Sequence, residues 1–147
     1  MIIKNNENDF TELVNITIKS FKFDKMLSYR NAKLIAELNL LTFLNCASFI
    51  KIAEINKKPV GFLIGKILVS NINNYYDDRI KKLKRKMILN IEGCFSLIIY
   101  NIIKIINKNL LKTTNKNYQA ELSFFAVNKN YHGFGIGRCL FENLMII

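Results

Sequence analysis

What this chain lacks narrows its chemistry first. Its three cysteines, Cys46, Cys94 and Cys139, form neither a C-x-x-C pair nor a metal-ligand spacing, and an odd number does not build a disulfide framework. They read as reduced thiols of a cytoplasmic protein, and no metal is expected. No secretory leader is expected: Met-Ile-Ile-Lys-Asn-Asn reads as a short strand over residues 1–5 and not as an apolar h-region. No apolar run is long enough to span a bilayer; the strongest, Gly93 to Ile103, is followed at once by Lys104. Internal repeats and low-complexity linkers are missing too, so residues 1–147 read as one domain. Acids are scarce, 11 against 22 lysines and arginines, which leaves a net charge of +11. Such a balance favours an anionic partner: a nucleotide cofactor, a nucleic acid or an acidic membrane surface. Charge alone does not choose among them, and an A/T-rich genome biases composition toward lysine, isoleucine and asparagine by itself.

Half of the residues are apolar, too many for a disordered chain. Asn8 or Asp9 is placed to cap a helix through about Ser20, with Phe10, Leu13, Val14 and Ile18 on one face. A second helix is predicted over residues 31–46, with Leu34, Ile35, Leu38, Leu41 and Leu44 as its stripe. A hairpin follows: Phe49 to Ile55, turn chemistry over Asn56-Lys57-Lys58-Pro59, and a return strand from Val60 to Val69. Residues 71–118 change character. Asn73 and Asn74 offer a cap, Asp77 and Asp78 suit a helix N-terminus, and Ile80, Leu83, Met87 and Ile91 recur at helical steps between basic residues. A second helical run continues beyond Gly93 to about Leu111, which predicts a helical hairpin or bent helix inserted between two strands. A polar loop is predicted from Thr113 to Asn117. Gln119 to Val127 then reads as a strand, Asn128 to Phe134 as a loop, and a helix from Gly135 as running on to Ile147.

The informative stretch is Ala120-Glu121-Leu122-Ser123-Phe124-Phe125-Ala126-Val127, then Asn128-Lys129-Asn130-Tyr131, then His132-Gly133-Phe134-Gly135-Ile136-Gly137-Arg138. It is a strand, a short loop, a glycine-dense turn and a helix start. Backbone N–H groups at such a turn favour an anion such as a pyrophosphate. Glycine lets a phosphate approach the backbone closely and supplies positive φ where it is needed. A Walker loop is excluded, because no Gly-Lys-Ser/Thr ending is present. A dinucleotide fingerprint fits poorly, since the spacing is Gly133-x-Gly135-x-Gly137 and the sequence stops too soon to hold the acid expected about 20 residues later. The blander reading is a plain strand-to-helix connection.

This segment resembles the coenzyme A motif of the GNAT acetyltransferases: Gln or Arg, two residues, Gly, one residue, then Gly or Ala. Gly135 and Gly137 match it, and His132 stands at the Gln/Arg position, a departure. The strand ending in Phe125-Ala126-Val127 is similar to the family's fourth strand, and the hairpin of Phe49 to Val69 to its second and third. The resemblance implies an α/β fold with a mixed central sheet flanked by helices, carrying the 71–118 helical insertion between strands three and four. It also implies that the C-terminal part of the fold is absent, because the family continues with further strands. The implied cosubstrate is acetyl-CoA. Its pantetheine arm would pair with the backbone of Phe125, Ala126 and Val127, and its pyrophosphate would meet N–H groups from His132 through Gly133, Phe134, Gly135, Ile136 and Gly137 to Arg138. An N–H near Ala126 or Val127 would polarise the thioester carbonyl. Glu121 lies where several members keep a general base for an amine acceptor; its plainer reading is a strand carboxylate paired with a lysine.

His132 is the only histidine, and its motif position favours a place near phosphate over a catalytic base. Tyr131 reads as packing and Cys139 as core. The basic run from Arg79 to Lys86 is most often a solvated helix face. Peripheral membrane contact through residues 79–106 is the better functional alternative; nucleic acid is not expected, because few aromatics interleave the charges. A non-catalytic remnant that still binds coenzyme A, or a basic membrane-surface module, is the alternative to an enzyme. An exposed edge on the fourth strand favours pairing with another copy.

Overall fold

The computed structural model describes residues 7–67, 74–113 and 118–143. The strand expected over residues 1–5 and the chain beyond Asn143 lie outside them. Three helices come first: α1 (Glu7–Ser20), the single turn α2 (Phe23–Met26) and α3 (Tyr29–Cys46). Strands β1 (Phe49–Ile55) and β2 (Lys58–Ile67) follow, then helices α4 (Asp77–Ile88) and α5 (Ile91–Thr113), strand β3 (Ala120–Val127) and helix α6 (Ile136–Glu142).

The sheet has the order β1-β2-β3, and both described pairs are antiparallel. The mixed sheet that was expected is therefore corrected to an antiparallel one among the described residues; a parallel pair would need a strand beyond these three. The β1–β2 turn is two residues long and not four. Asn56 and Lys57 have φ of 50° and 62°, the left-handed pair that matches the twist of a tight hairpin. Lys58 and Pro59 belong to β2. Proline is accommodated there because the register shifts: Ala53 faces Gly61 and Glu54 faces Pro59, which leaves Val60 as the extra residue of a bulge.

Alternation along β2 sends Phe62 and Ile64 to one face, where they join Phe124 and Ala126 of β3 in the main core. That face is covered by Leu13, Val14 and Ile16 of α1 and by Leu38, Leu40 and Leu41 of α3, all almost completely buried. The i, i+3, i+4 spacing read from the sequence is the face each helix buries. Around Phe124, the rings of Phe21, Phe43 and Phe62 lie 5.0–5.4 Å away, centroid to centroid. Phe62 is completely buried, so its replacement by alanine should cost about 3–5 kcal/mol. The other face carries α6. A Cβ at Gly61 would lie 3.4 Å from Ile136 Cγ2, and one at Gly137 would lie 3.3 Å from the Phe125 ring. These two glycines let the helix sit close to the strands.

Helices α4 and α5 form the expected hairpin, joined through Leu89 and Asn90. Polar anchors pin it to α3, among them the Arg79–Glu37 ion pair at 3.9 Å and Asn31 Nδ2 donating to Asn90 Oδ1 at 3.0 Å. Asn45 Nδ2 donates to Asp77 Oδ1 at 2.7 Å, and Tyr76 N donates to Asn45 Oδ1 at 2.9 Å. Thr42 Oγ1 gives its one proton to Leu38 O at 2.7 Å, so the Tyr100 hydroxyl, 2.8 Å away, donates to Thr42. At the far end Ser28 N and Ser28 Oγ donate to the Glu92 carboxylate at 2.7 and 2.5 Å, and Asn31 Nδ2 donates to it as well. Ser28 is thus the N-cap of α3, which places the helix start two residues before the predicted one. Asn90 Oδ1 accepts from Gly93 N at 2.7 Å and caps α5. At the start of α4 the expected Asn74 cap is replaced by the Asn45 side chain, which takes the Tyr76 N–H; Asn73 lies outside the described residues.

Candidate functional site: a free strand edge and a glycine turn

Strand β3 is an edge strand among the described residues. Asn128 N donates to Val60 O at 2.8 Å, which makes the facing pair Gly61 and Val127 a non-hydrogen-bonded one. In an antiparallel ladder such pairs alternate with hydrogen-bonded ones. Ala126, opposite Phe62, therefore turns its N–H toward β2, whereas Phe125 and Val127 turn theirs toward the open edge. The Val127 carbonyl follows this rule. It accepts from Ser20 Oγ at 3.4 Å and from the His132 ring at 3.0 Å. A carbonyl only accepts, so His132 Nε2 carries the proton of that bond.

A second register shift lies within β3. Ile64 faces Phe124 and Gly65 faces Leu122, which leaves Ser123 as an extra residue. The bulge exchanges the faces of every residue before it. Glu121 thereby sits opposite Lys66, half-buried and on the sheet face shared with Phe124 and Ala126. It makes no ion pair among the described residues, the Lys66 partnership included. The extra residue carries no signal of its own, but the shift falls at Gly65 on the facing strand, and a glycine within a strand often marks a bulge or a close approach.

After β3 the chain makes a single 3₁₀ turn, Lys129–Tyr131, in which Asn128 Oδ1 accepts from Asn130 N at 3.0 Å. Tyr131 packs edge-to-face with Phe134, their ring centroids 6.4 Å apart. Then Gly133 and Gly135 take φ of 85° and 74°, and a Cβ at either would meet nothing within 4 Å. They are left-handed turn positions that open onto free space. His132 N donates to Lys129 O, and the first helical bond of α6 runs from Cys139 N to Gly135 O at 2.9 Å. Between them the N–H groups of Gly133, Phe134, Gly135, Ile136, Gly137 and Arg138 have no partner among the described residues. The Arg138 side chain pairs with Glu142 at 2.7 Å, both exposed. Cys139, expected in the core, is exposed. Helix α6 faces the sheet through Ile136, Gly137 and the buried Leu140, so position 139 turns away from it.

The predicted residues lie along β3 and the turn after it: the half-buried Glu121 on the face shared with Phe124 and Ala126, the bulge, the outward N–H groups of Phe125 and Val127, and then the glycine turn that leads into α6 on the other face. His132 and Ser20 close the end of the strand beside it, and Ser20 had no signal in the sequence because it belongs to α1. An open groove of about 480 Å³ lies elsewhere, lined by Met26 and Leu27 and by residues of α5 that include Ile91, Phe95 and Ile99; none of its lining residues is on β3 or the glycine turn. Among the described residues no cluster of His, Cys, Asp and Glu is placed to hold a metal, and no helix is long and apolar enough to cross a membrane. Comparison with protein-family models, with curated proteins and with solved structures gives no match.

Proposed function

We propose that this protein is an acetyl-CoA-dependent N-acetyltransferase of the GNAT type that acts on a primary amine. One observation carries the reading: β3 is an edge strand among the described residues, and after a single 3₁₀ turn it leads to six successive N–H groups with no partner among those residues, beside Gly133 and Gly135, which leave the space next to them open. An amide-bearing arm that ends in a pyrophosphate needs both parts, an edge to pair with and an anion-accepting turn.

The chemistry assigned to the chain is direct transfer. The amine gives a proton to Glu121, directly or through water, and its lone pair attacks the thioester carbonyl carbon. The new C–N bond forms, the C–S bond breaks, and the thiolate leaves with coenzyme A. Of the two N–H groups expected to polarise the carbonyl, that of Ala126 is directed at β2 and that of Val127 lies six residues from Glu121; the outward N–H nearer to Glu121 is that of Phe125. The resemblance supplies no general acid for the thiolate among these residues.

Calorimetric and thermal titration with acetyl-CoA tests the reading. A ligand specific for the folded state, at about 100 times its Kd, should stabilise by roughly 2.7 kcal/mol. Gly135→Val should abolish that shift, because a β-branched residue does not adopt the required positive φ. A folded chain that gives neither heat nor shift, alone and in a version extended beyond Ile147, sinks the proposal.

A further inference from the structure

Helix α5 exposes far more apolar surface than the fold explains. Only its first turns pack inward, through Gly93, Ser96, Leu97 and partly Tyr100. Every residue from 101 to 110 is exposed. A second stripe, distinct from the packed one, runs through Ile91, Phe95, Ile98, Ile102 and Ile106 at steps of three and four; Ile91 is 87% and Phe95 65% exposed. At 1.5 Å per residue this stripe is about 22 Å long. It continues past the α4–α5 turn into Ile88 and Leu89, 61% and 76% exposed, and borders the groove beside Met26.

Charge identifies what fits this surface. After Glu92, α5 carries Lys104, Lys108 and Lys112 in one i, i+4, i+8 row and no acid. Helix α4, packed against it, adds Lys82, Lys84, Arg85 and Lys86, with Lys84 Nζ 5.9 Å from the Tyr100 ring centre; its Arg79 pairs with Glu37 and its Lys81 with Asp78. A second copy would bring these rows and two net charges of +11 together, which opposes self-association. An anionic lipid surface attracts them instead. We propose that α5 lies in the surface of an anionic bilayer, its isoleucine stripe at the acyl-chain boundary and its lysines, with those of α4, at the headgroups. No described helix crosses the membrane in this arrangement. The proposal stands independently of acetyl transfer.

The chain contains no tryptophan, so Ile102→Trp introduces a single reporter at an exposed site. Its emission should be that of a solvated indole in the free protein. It should shift to the blue with phosphatidylcholine vesicles that contain phosphatidylglycerol, not with phosphatidylcholine alone, and the shift should fall with added salt. In co-sedimentation, Ile98→Asp with Ile102→Asp should weaken binding at least about tenfold with only a small change in melting temperature, because the two side chains are already 55% and 49% exposed. Failure to bind anionic vesicles overturns the proposal. So does equal binding to both vesicles, or a blue-shifted tryptophan before lipid is added, in a monomer or in a dimer.

Discussion

A methyl group added at Gly137 would press on the Phe125 ring at 3.3 Å, whereas one added at Gly135 would meet nothing within 4 Å. The two glycines nearest the helix start are therefore needed for different reasons, one for packing and one for its backbone angle. Gly137→Ala should lower the melting temperature modestly while acetyl-CoA still binds; Gly135→Val, strained at its positive φ, should also lower it, with binding lost. Differential scanning fluorimetry beside calorimetry separates them. Glu121→Gln should reduce kcat by about 10²–10⁴-fold, the range of general-base contributions, and leave the Kd for acetyl-CoA nearly unchanged. If the Kd collapses instead, the carboxylate is structural. The turn was legible in the sequence because three glycines in five residues have few other uses. The split in their roles was not, since it depends on a ring contributed by β3. Nor was the facing of Glu121, which a bulge at Ser123 decides.

The α4–α5 hairpin owes its place to polar anchors, and Glu92 is the busiest of them. Hydrogen bonds from the Ser28 side chain and backbone, and from Asn31, hold its carboxyl below the ordinary glutamate value of 4.5. A depressed folded pKa means that the stabilisation is fully present above that value and is lost as pH falls through the lower, folded one. Urea melts of wild type and Glu92→Gln should therefore differ most near neutrality and converge in acid. Gly93→Ala is the steric counterpart. Its Cβ would lie 2.1 Å from the Met87 carbonyl oxygen, a backbone atom that moves only with the end of α4, so the variant should melt clearly lower. Helical periodicity made both helices readable, as it did α1 and α3. It missed α2, a four-residue turn too short to have a period. It also missed that α3 begins at a serine whose N–H is capped from 64 residues away.

Across the whole molecule, protection should follow burial. Amides of α3 and β2, whose residues supply most of the closed core, should exchange slowest with solvent, and those of residues 101–110 fastest, because no side chain there is withdrawn from water. Exchange mass spectrometry that found α5 uniformly protected would contradict this. The sequence order of strands and helices was readable; the relative direction of the strands was not, because alternation reports which face is buried and not which way a neighbour runs.

Strands β1 and β2 are joined by two residues, but β2 and β3 meet across more than 50 residues that include the whole α4–α5 hairpin. Closing so long a loop carries an entropic cost that grows with the logarithm of its length, and non-local pairings slow folding. Docking of α4 and α5 on α3 shortens the span that β3 must cross. On this view the first hairpin is assembled early and the glycine turn late, so the segment assigned to cofactor binding is the last part of the chain to acquire its shape.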